Sequence, residues 1–70
     1  MSLNEEEIQQ ARHELIELKI EHSDLDHAID LMLRNAYIDQ LRLRRMKKRK
    51  LKLKDSIQRL ESMIIPDMDA

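Results

Sequence analysis

Apolar residues recur at alternating steps of three and four along the first half of the chain. The series starts at Ile8 and runs without a slip through seven further positions, Ala11, Leu15, Leu18, His22, Leu25, Ile29 and Met32. This spacing is typical of a coiled-coil seam, because it keeps one stripe of an α-helix turned toward a partner helix. Asn4 and Glu7 have the capping-box spacing. We therefore predict a first helix over residues 4–34.

The pattern breaks at "LRNAYIDQ", residues 33–40. Asn35 is a residue that tolerates the left-handed conformation with which many helices end, and Asp39 is a good N-cap for a following helix. The break therefore predicts a turn over residues 35–39 rather than a continuation of the first helix.

A second seam with the same alternating steps follows the turn. Its members are Leu43, Met46, Lys50, Leu53, Ile57, Leu60 and Ile64. Pro66 disfavours a helical conformation in the residue before it, so the second helix is expected to span residues 40–65 and to leave a tail at 66–70.

The two seams match when the chain is folded back at the turn. Opposed residues of an antiparallel pair should have position numbers with a constant sum, and seven seam pairs, from Met32 with Leu43 to Ala11 with Ile64, all sum to 75. One continuous helix that dimerises with another chain is the competing interpretation, and it does not require this sum. We predict an all-α fold in which residues 1–70 form a single antiparallel two-helix hairpin.

Composition adds an expectation about assembly. The chain has no Gly, no Cys, one aromatic residue and 39% charged residues, so its core is aliphatic and carries no disulfide. Below about 70 to 80 residues a lone core rarely supplies more than a few kcal/mol, which predicts a dimer or a larger helical bundle. No apolar run approaches the roughly 20 residues of a membrane span, and a cytoplasmic location is expected.

Charge divides sharply between the two arms. Residues 1–33 hold nine acids against two bases, a net charge of −7, and residues 34–70 hold eleven bases against five acids, a net charge of +6. Nine of the bases fall within thirteen positions, 42–54. An antiparallel hairpin places the arms side by side, and we expect the facing acids to meet about half of this basic run. The acids in question are Glu21, Asp24, Asp26 and Asp30.

The flanking positions predict individual pairs. Asp26 is expected to face Lys47, and Arg12 is expected to face Glu61. Lys19 is expected to face Lys54, which is unfavourable.

Two seam positions are polar, His22 and Lys50. A polar seam residue commonly fixes register or oligomeric state at a cost in stability, and Lys50 is expected to extend its ammonium toward Glu21, Asp24 or water. The alternative interpretation makes His22, with Asp26 one turn later, a pH-sensitive or ligand-binding position.

Two segments resemble the signatures of the YdcH-like family of short bacterial proteins of unknown function. The first is "HSDLDHAI", which carries His22, Leu25, Asp26 and Ile29, and the second is "LRRMKKRKLKLKDSI". The matching residues of the second segment are Met46, in place of the more usual Leu, and Lys47, Lys48, Lys50, Leu51, Leu53, Lys54, Asp55 and Ile57. The resemblance covers most of the chain, and it implies a two-helix antiparallel hairpin with no established biochemical activity and no catalytic residues to transfer.

The residues themselves carry no sign of catalysis. There is no nucleophile beside a base, no Gly-rich phosphate loop and no recognised metal-ligand signature, so we expect no enzyme, no cofactor, no metal site and no small-molecule substrate. Apolar residues off the seams predict instead a second interface with another copy or another helical protein. The candidates are Ile16, Ile20, Leu31, Leu41 and Leu51.

Nucleic-acid binding is the competing function. A dense basic helix can follow a phosphate backbone and release counterions. The near-neutral total charge, the acidic first arm and the lack of stacking aromatics other than Tyr37 argue against it. The second helix has no wide apolar face, so a membrane surface is not expected as a partner. The candidate anion contacts are Arg42, Arg44, Arg45, Lys47, Lys48, Arg49, Lys52 and Lys54.

Overall fold

The computed structural model describes residues 3–64 and shows two α-helices packed against each other. Helix α1 spans Glu5–Leu33 and helix α2 spans Gln40–Ile64. The expected bounds of the first helix, 4–34, differ from these by one residue at each end, and the expected start of the second helix at residue 40 agrees. The expected last helical residue, 65, and the expected tail 66–70 lie outside the described residues. The described chain is therefore all-helical, with the two helices folded back on each other as an antiparallel hairpin.

Both helices begin at a capped residue. The side chain of Asn4 accepts a hydrogen bond from the Glu7 amide at 2.7 Å, and the Glu7 carboxylate accepts one from the Asn4 amide at 3.0 Å. This capping box satisfies two backbone donors that the first turn of a helix leaves without partners. At the start of α2, the Asp39 carboxylate accepts from the Arg42 amide at 3.1 Å.

The turn does not use a left-handed residue. Helix α1 ends at the C-cap residue Arg34, which has φ −85° and ψ −7°, and no residue in the described range 3–64 has a positive φ. The expectation that Asn35 takes the left-handed conformation is therefore wrong. The amides of Arg34 and Asn35 instead donate to the carbonyls of Leu31 and Met32 at 3.2 Å each, so a tightened final turn satisfies these carbonyls.

The core is the predicted seam. The four apolar residues with less than a tenth of their surface exposed are Ala11, Ile29, Leu43 and Leu53, and each is a seam residue. The remaining seam residues are half-buried, which includes His22 and Lys50. A single layer of contact between two helices cannot bury more than this, so the core of one hairpin is small.

Ion pairs beside the seam differ from the predicted ones. Glu61 pairs with Lys19 at 3.2 Å rather than with Arg12, and Asp26 pairs with Lys50 rather than with Lys47. The third ion pair between the helices joins Arg49 to Glu21. The position numbers of the three observed pairs sum to 80, 76 and 70, on both sides of the seam sum of 75, whereas those of the two expected pairs sum to 73. Long charged side chains therefore reach past the residue that directly faces them, and facing positions alone do not identify their partners.

Candidate interaction surfaces

Five apolar side chains off the seams point into solvent. The exposed fractions of Ile16, Ile20 and Leu31 on α1 are 58%, 57% and 65%, and those of Leu41 and Leu51 on α2 are 60% and 67%. These are the residues that the sequence offers as interface candidates, and contact with a partner stays a prediction for each of them. Sequence reasoning did not single out Leu33, Tyr37 and Met63, which are also about half exposed or more.

The facing helix neutralises only part of the positive charge of the basic run at 42–54. Arg49 forms an ion pair with Glu21, and Lys50 forms one with Asp26. Asp30 instead pairs at 3.0 Å with Arg34, the C-cap residue of α1, and Asp24 makes no ion pair with any described residue. Of the four acids of α1 that were expected to pair with the run, two do so, Glu21 and Asp26.

Seven bases of the run have no ion-pair partner within residues 3–64. They are Arg42, Arg44, Arg45, Lys47, Lys48, Lys52 and Lys54. All seven are exposed, and they lie on several sides of α2 rather than along one stripe. The surface of α2 consequently keeps a large uncompensated positive charge, and Arg49 is the one predicted anion contact that the hairpin itself occupies.

Lys50 and His22 occupy adjacent layers of the seam and behave differently. The Lys50 ammonium reaches out of the seam and donates a hydrogen bond to the Asp26 carboxylate, so Asp26 is its partner rather than the expected Glu21 or Asp24. This hydrogen bond, together with the positive charge of Lys50, lowers the pKa of Asp26 below its ordinary value of 3.8. The Nε2 atom of His22 is buried and has no hydrogen-bond partner within the described chain.

A groove runs beside these two residues along one edge of the hairpin. Its deeper part holds about 330 Å³ and is lined by His22 and Ile29 of α1 and by four residues of α2, Lys47, Lys50, Leu51 and Lys54. A second, shallower part of about 430 Å³ continues along α2 to Ile57 and Glu61. The deeper part combines apolar surface from Ile29 and Leu51 with the exposed Lys47 and Lys54 at its rim, whereas the second part also includes Glu61. The sequence pattern alone did not reveal the groove, because it depends on which edge of each helix faces the same side.

Two absences within the described residues bear on the chemistry of the hairpin. No group of three or more His, Asp or Glu side chains within residues 3–64 is arranged to hold a metal ion. Within the same range, neither helix combines the length and the apolar character that crossing a membrane requires.

Comparison with known proteins places the chain in a family. Neither the curated proteins nor the solved structures gave a match. The sequence profile of a family described as "Protein of unknown function (DUF465)" matches residues 15–61, which is more than half of the chain and spans the facing parts of both helices. This match is consistent with the resemblance to the YdcH-like proteins. The chain belongs to this family of proteins of unknown function.

Proposed function

We propose that the protein is a non-enzymatic interaction module, a helical hairpin that associates with further copies of itself or with another helical protein. The observation that carries this proposal is the contrast between core and surface. Four apolar residues are buried in the seam, while the five interface candidates off the seam are each more than half exposed. A second layer of helices on those residues supplies the buried area that one hairpin lacks. A cytoplasmic location is part of the same proposal.

Polar residues in the seam are compatible with this role. Lys50 is held by Asp26 at the edge of the seam rather than inside it, and such an arrangement favours one register of the two helices over others. A module that presents a fixed outer surface to a partner needs a fixed register, because a shift along the seam moves every outer residue relative to its neighbours.

Sedimentation equilibrium over a wide range of protein concentrations tests the proposal. We expect the mass to rise above that of one chain as the concentration increases, and the double variant Ile20→Ser with Leu51→Ser to remain smaller than the wild type. Circular dichroism of the variant should show unchanged helix content, since both side chains are exposed. A wild-type protein that stays monomeric throughout, and that captures no helical protein from its own cell, overturns the proposal.

A second function, binding of nucleic acid through α2, is favoured by the seven unpaired bases of the run at 42–54. Electrostatic contact of this kind weakens steeply with salt, with a slope that reports the number of phosphates neutralised. The test is a fluorescence titration with a labelled duplex at low and at physiological salt. Binding that persists at physiological salt, and that Arg44→Glu with Lys48→Glu and Lys52→Glu abolishes, supports this function. Loss of all binding at physiological salt rejects it.

A further inference from the structure

The edge of α2 beside the groove carries a short row of three exposed residues, a leucine between two lysines. Lys47, Leu51 and Lys54 are four and three residues apart, which places them on one side of the helix. Leu51 is 67% exposed, and neither lysine forms an ion pair with any described residue. We call these three residues the basic stripe. It presents an apolar side chain between two free cations.

The outer side of α1 carries the complement. Glu17, Ile20 and Asp24 are three and four residues apart and form what we call the acidic stripe. Ile20 is 57% exposed, and Asp24 has no ion-pair partner among residues 3–64. The one ion pair of Glu17 is a 3.7 Å contact with His13, in which both side chains are more than two-thirds exposed. This stripe points away from the seam, and within residues 3–64 neither of its acids forms an ion pair with α2.

The two stripes match each other in the antiparallel direction. Glu17 opposite Lys54, Ile20 opposite Leu51 and Asp24 opposite Lys47 all have position numbers that sum to 71. Two opposite-charge layers therefore bracket one apolar layer at a single register. The next layers on either side put no carboxylate against a carboxylate, since they are His13 with Gln58 and His27 with Arg44.

We propose that the acidic stripe of one copy docks antiparallel on the basic stripe of a second copy, so that Ile20 packs on Leu51 beside the groove. This inference rests on the proposed function, because it names the surface through which the hairpin associates with itself. Charge complementarity selects a second copy as the occupant: the free cations of the groove rim have their counterparts on the free face of α1. The two stripes are different surfaces, so the contact is heterologous and is not limited to a dimer.

A charge exchange between the stripes tests this surface. The first variant carries Lys47→Glu and Lys54→Glu, and the second carries Glu17→Lys and Asp24→Lys. A control with Lys48→Glu and Lys52→Glu makes the same charge change as the first variant on other exposed positions of α2. Circular dichroism measures the helix content of each protein, and sedimentation equilibrium measures its association alone and in an equimolar mixture of the first two.

The expected result is at least about tenfold weaker association for each stripe variant alone, little change for the control, and association restored in the mixture. Restoration follows because the reversed basic stripe then meets the reversed acidic stripe, while the two unchanged stripes meet each other. If charge reversal lowers the helix content, the neutral variant Lys47→Gln with Lys54→Gln replaces the first, and its association is expected to be weaker than that of the wild type.

Three outcomes overturn the inference, and they separate the docking surface from self-association as such. Wild-type association with both stripe variants unaffected, or a mixture that fails to associate, rejects this surface and leaves self-association standing. A wild-type protein that is monomeric at every concentration rejects the surface and self-association together.

Discussion

At the scale of single residues, the pair between Lys50 and Asp26 shows how the hairpin tolerates a cation in its seam. The alkyl part of Lys50 lies half-buried in the layer with Leu25, while its ammonium reaches the exposed carboxylate of Asp26. A lysine can do this where a shorter polar residue could not. At His22, one layer away, the Nε2 atom is buried and has no hydrogen-bond partner among the described residues.

The lowered pKa of Asp26 makes this pair dependent on pH. A carboxylate whose pKa is lower in the folded state stabilises that state above its unfolded value, and this stabilisation is lost as the pH falls through the folded value. The pH range over which this stabilisation is lost therefore lies at and below pH 3.8, the ordinary pKa of Asp26. We expect Asp26→Asn to lower Tm at about pH 7 and to differ little from the wild type at about pH 2.5.

Asp24→Asn is the matched control for this prediction, because Asp24 is exposed and makes no ion pair with the described residues. Thermal unfolding followed by circular dichroism measures all three proteins at both pH values. An Asp26→Asn variant whose difference from the wild type is the same at both pH values contradicts the role assigned to the Lys50 contact.

At the scale of the helices, the capping box at Asn4 predicts a measurable contribution to α1. The Asn4 side chain accepts from the Glu7 backbone amide at 2.7 Å, and the Glu7 carboxylate accepts from the Asn4 backbone amide at 3.0 Å. Asn4→Ala is expected to lower the free energy of unfolding by about 1 kcal/mol, whereas Asn4→Ser should retain most of the stability. Urea denaturation measures both, and an equal loss for the two variants argues against the cap.

The helices also show which features the sequence could predict. Seam residues were predictable because a step of three or four is a property of helix geometry and does not depend on the partner. The turn was placed correctly between residues 33 and 40, but its conformation was not, since a final turn with 3₁₀-type bonds satisfied the carbonyls without Asn35. Pairing of Lys19 with Glu61 was missed because facing positions ignore how far a long charged side chain can reach along the helix.

For the interaction surfaces, the sequence predicted which residues are exposed but not how they are arranged relative to one another. Exposure of Ile20 and Leu51 followed from their distance around the helix from the seam. The groove could be found only in the structure, because it exists only if His22 and Lys47 lie on the same edge of the hairpin. How much of the basic run is neutralised could likewise be read only from the structure, since Asp30 pairs with the C-cap residue Arg34 instead of with α2.

At the scale of the whole molecule, one small core holds two long helices together. Two leucines on α2 allow the contribution of the core to be compared with that of the surface. Leu53 is 8% exposed in the seam, whereas Leu51 is 67% exposed two residues earlier. At a low protein concentration, Leu53→Ala is expected to lower the free energy of unfolding by about 2–4 kcal/mol and Leu51→Ala by less than about 0.5 kcal/mol. Similar losses for both variants in urea denaturation would contradict the assignment of the seam.

Opposite charges on the two helices give the hairpin as a whole a dependence on salt. Helix α1 holds nine acids and two bases, a net charge of −7, and α2 holds ten bases and two acids, a net charge of +8. The helices pack about 8–10 Å apart, a distance comparable to the Debye length at 0.1 M salt and larger than that at 1 M, so added salt weakens their attraction. The interhelical pairs Lys19 with Glu61 and Arg49 with Glu21 are open to solvent and screened as well.

We therefore expect Tm to fall by several degrees between about 0.02 M and about 0.5 M NaCl, at a protein concentration low enough to keep the hairpin monomeric. The variant Lys48→Glu with Lys52→Glu reduces the net charge of α2 from +8 to +4 and serves as the comparison. Its Tm should be lower than that of the wild type at low salt and should depend less on salt, because less attraction remains to be screened. A wild-type Tm that rises with NaCl would show that burial in the seam, which salt strengthens, outweighs the attraction between the helices.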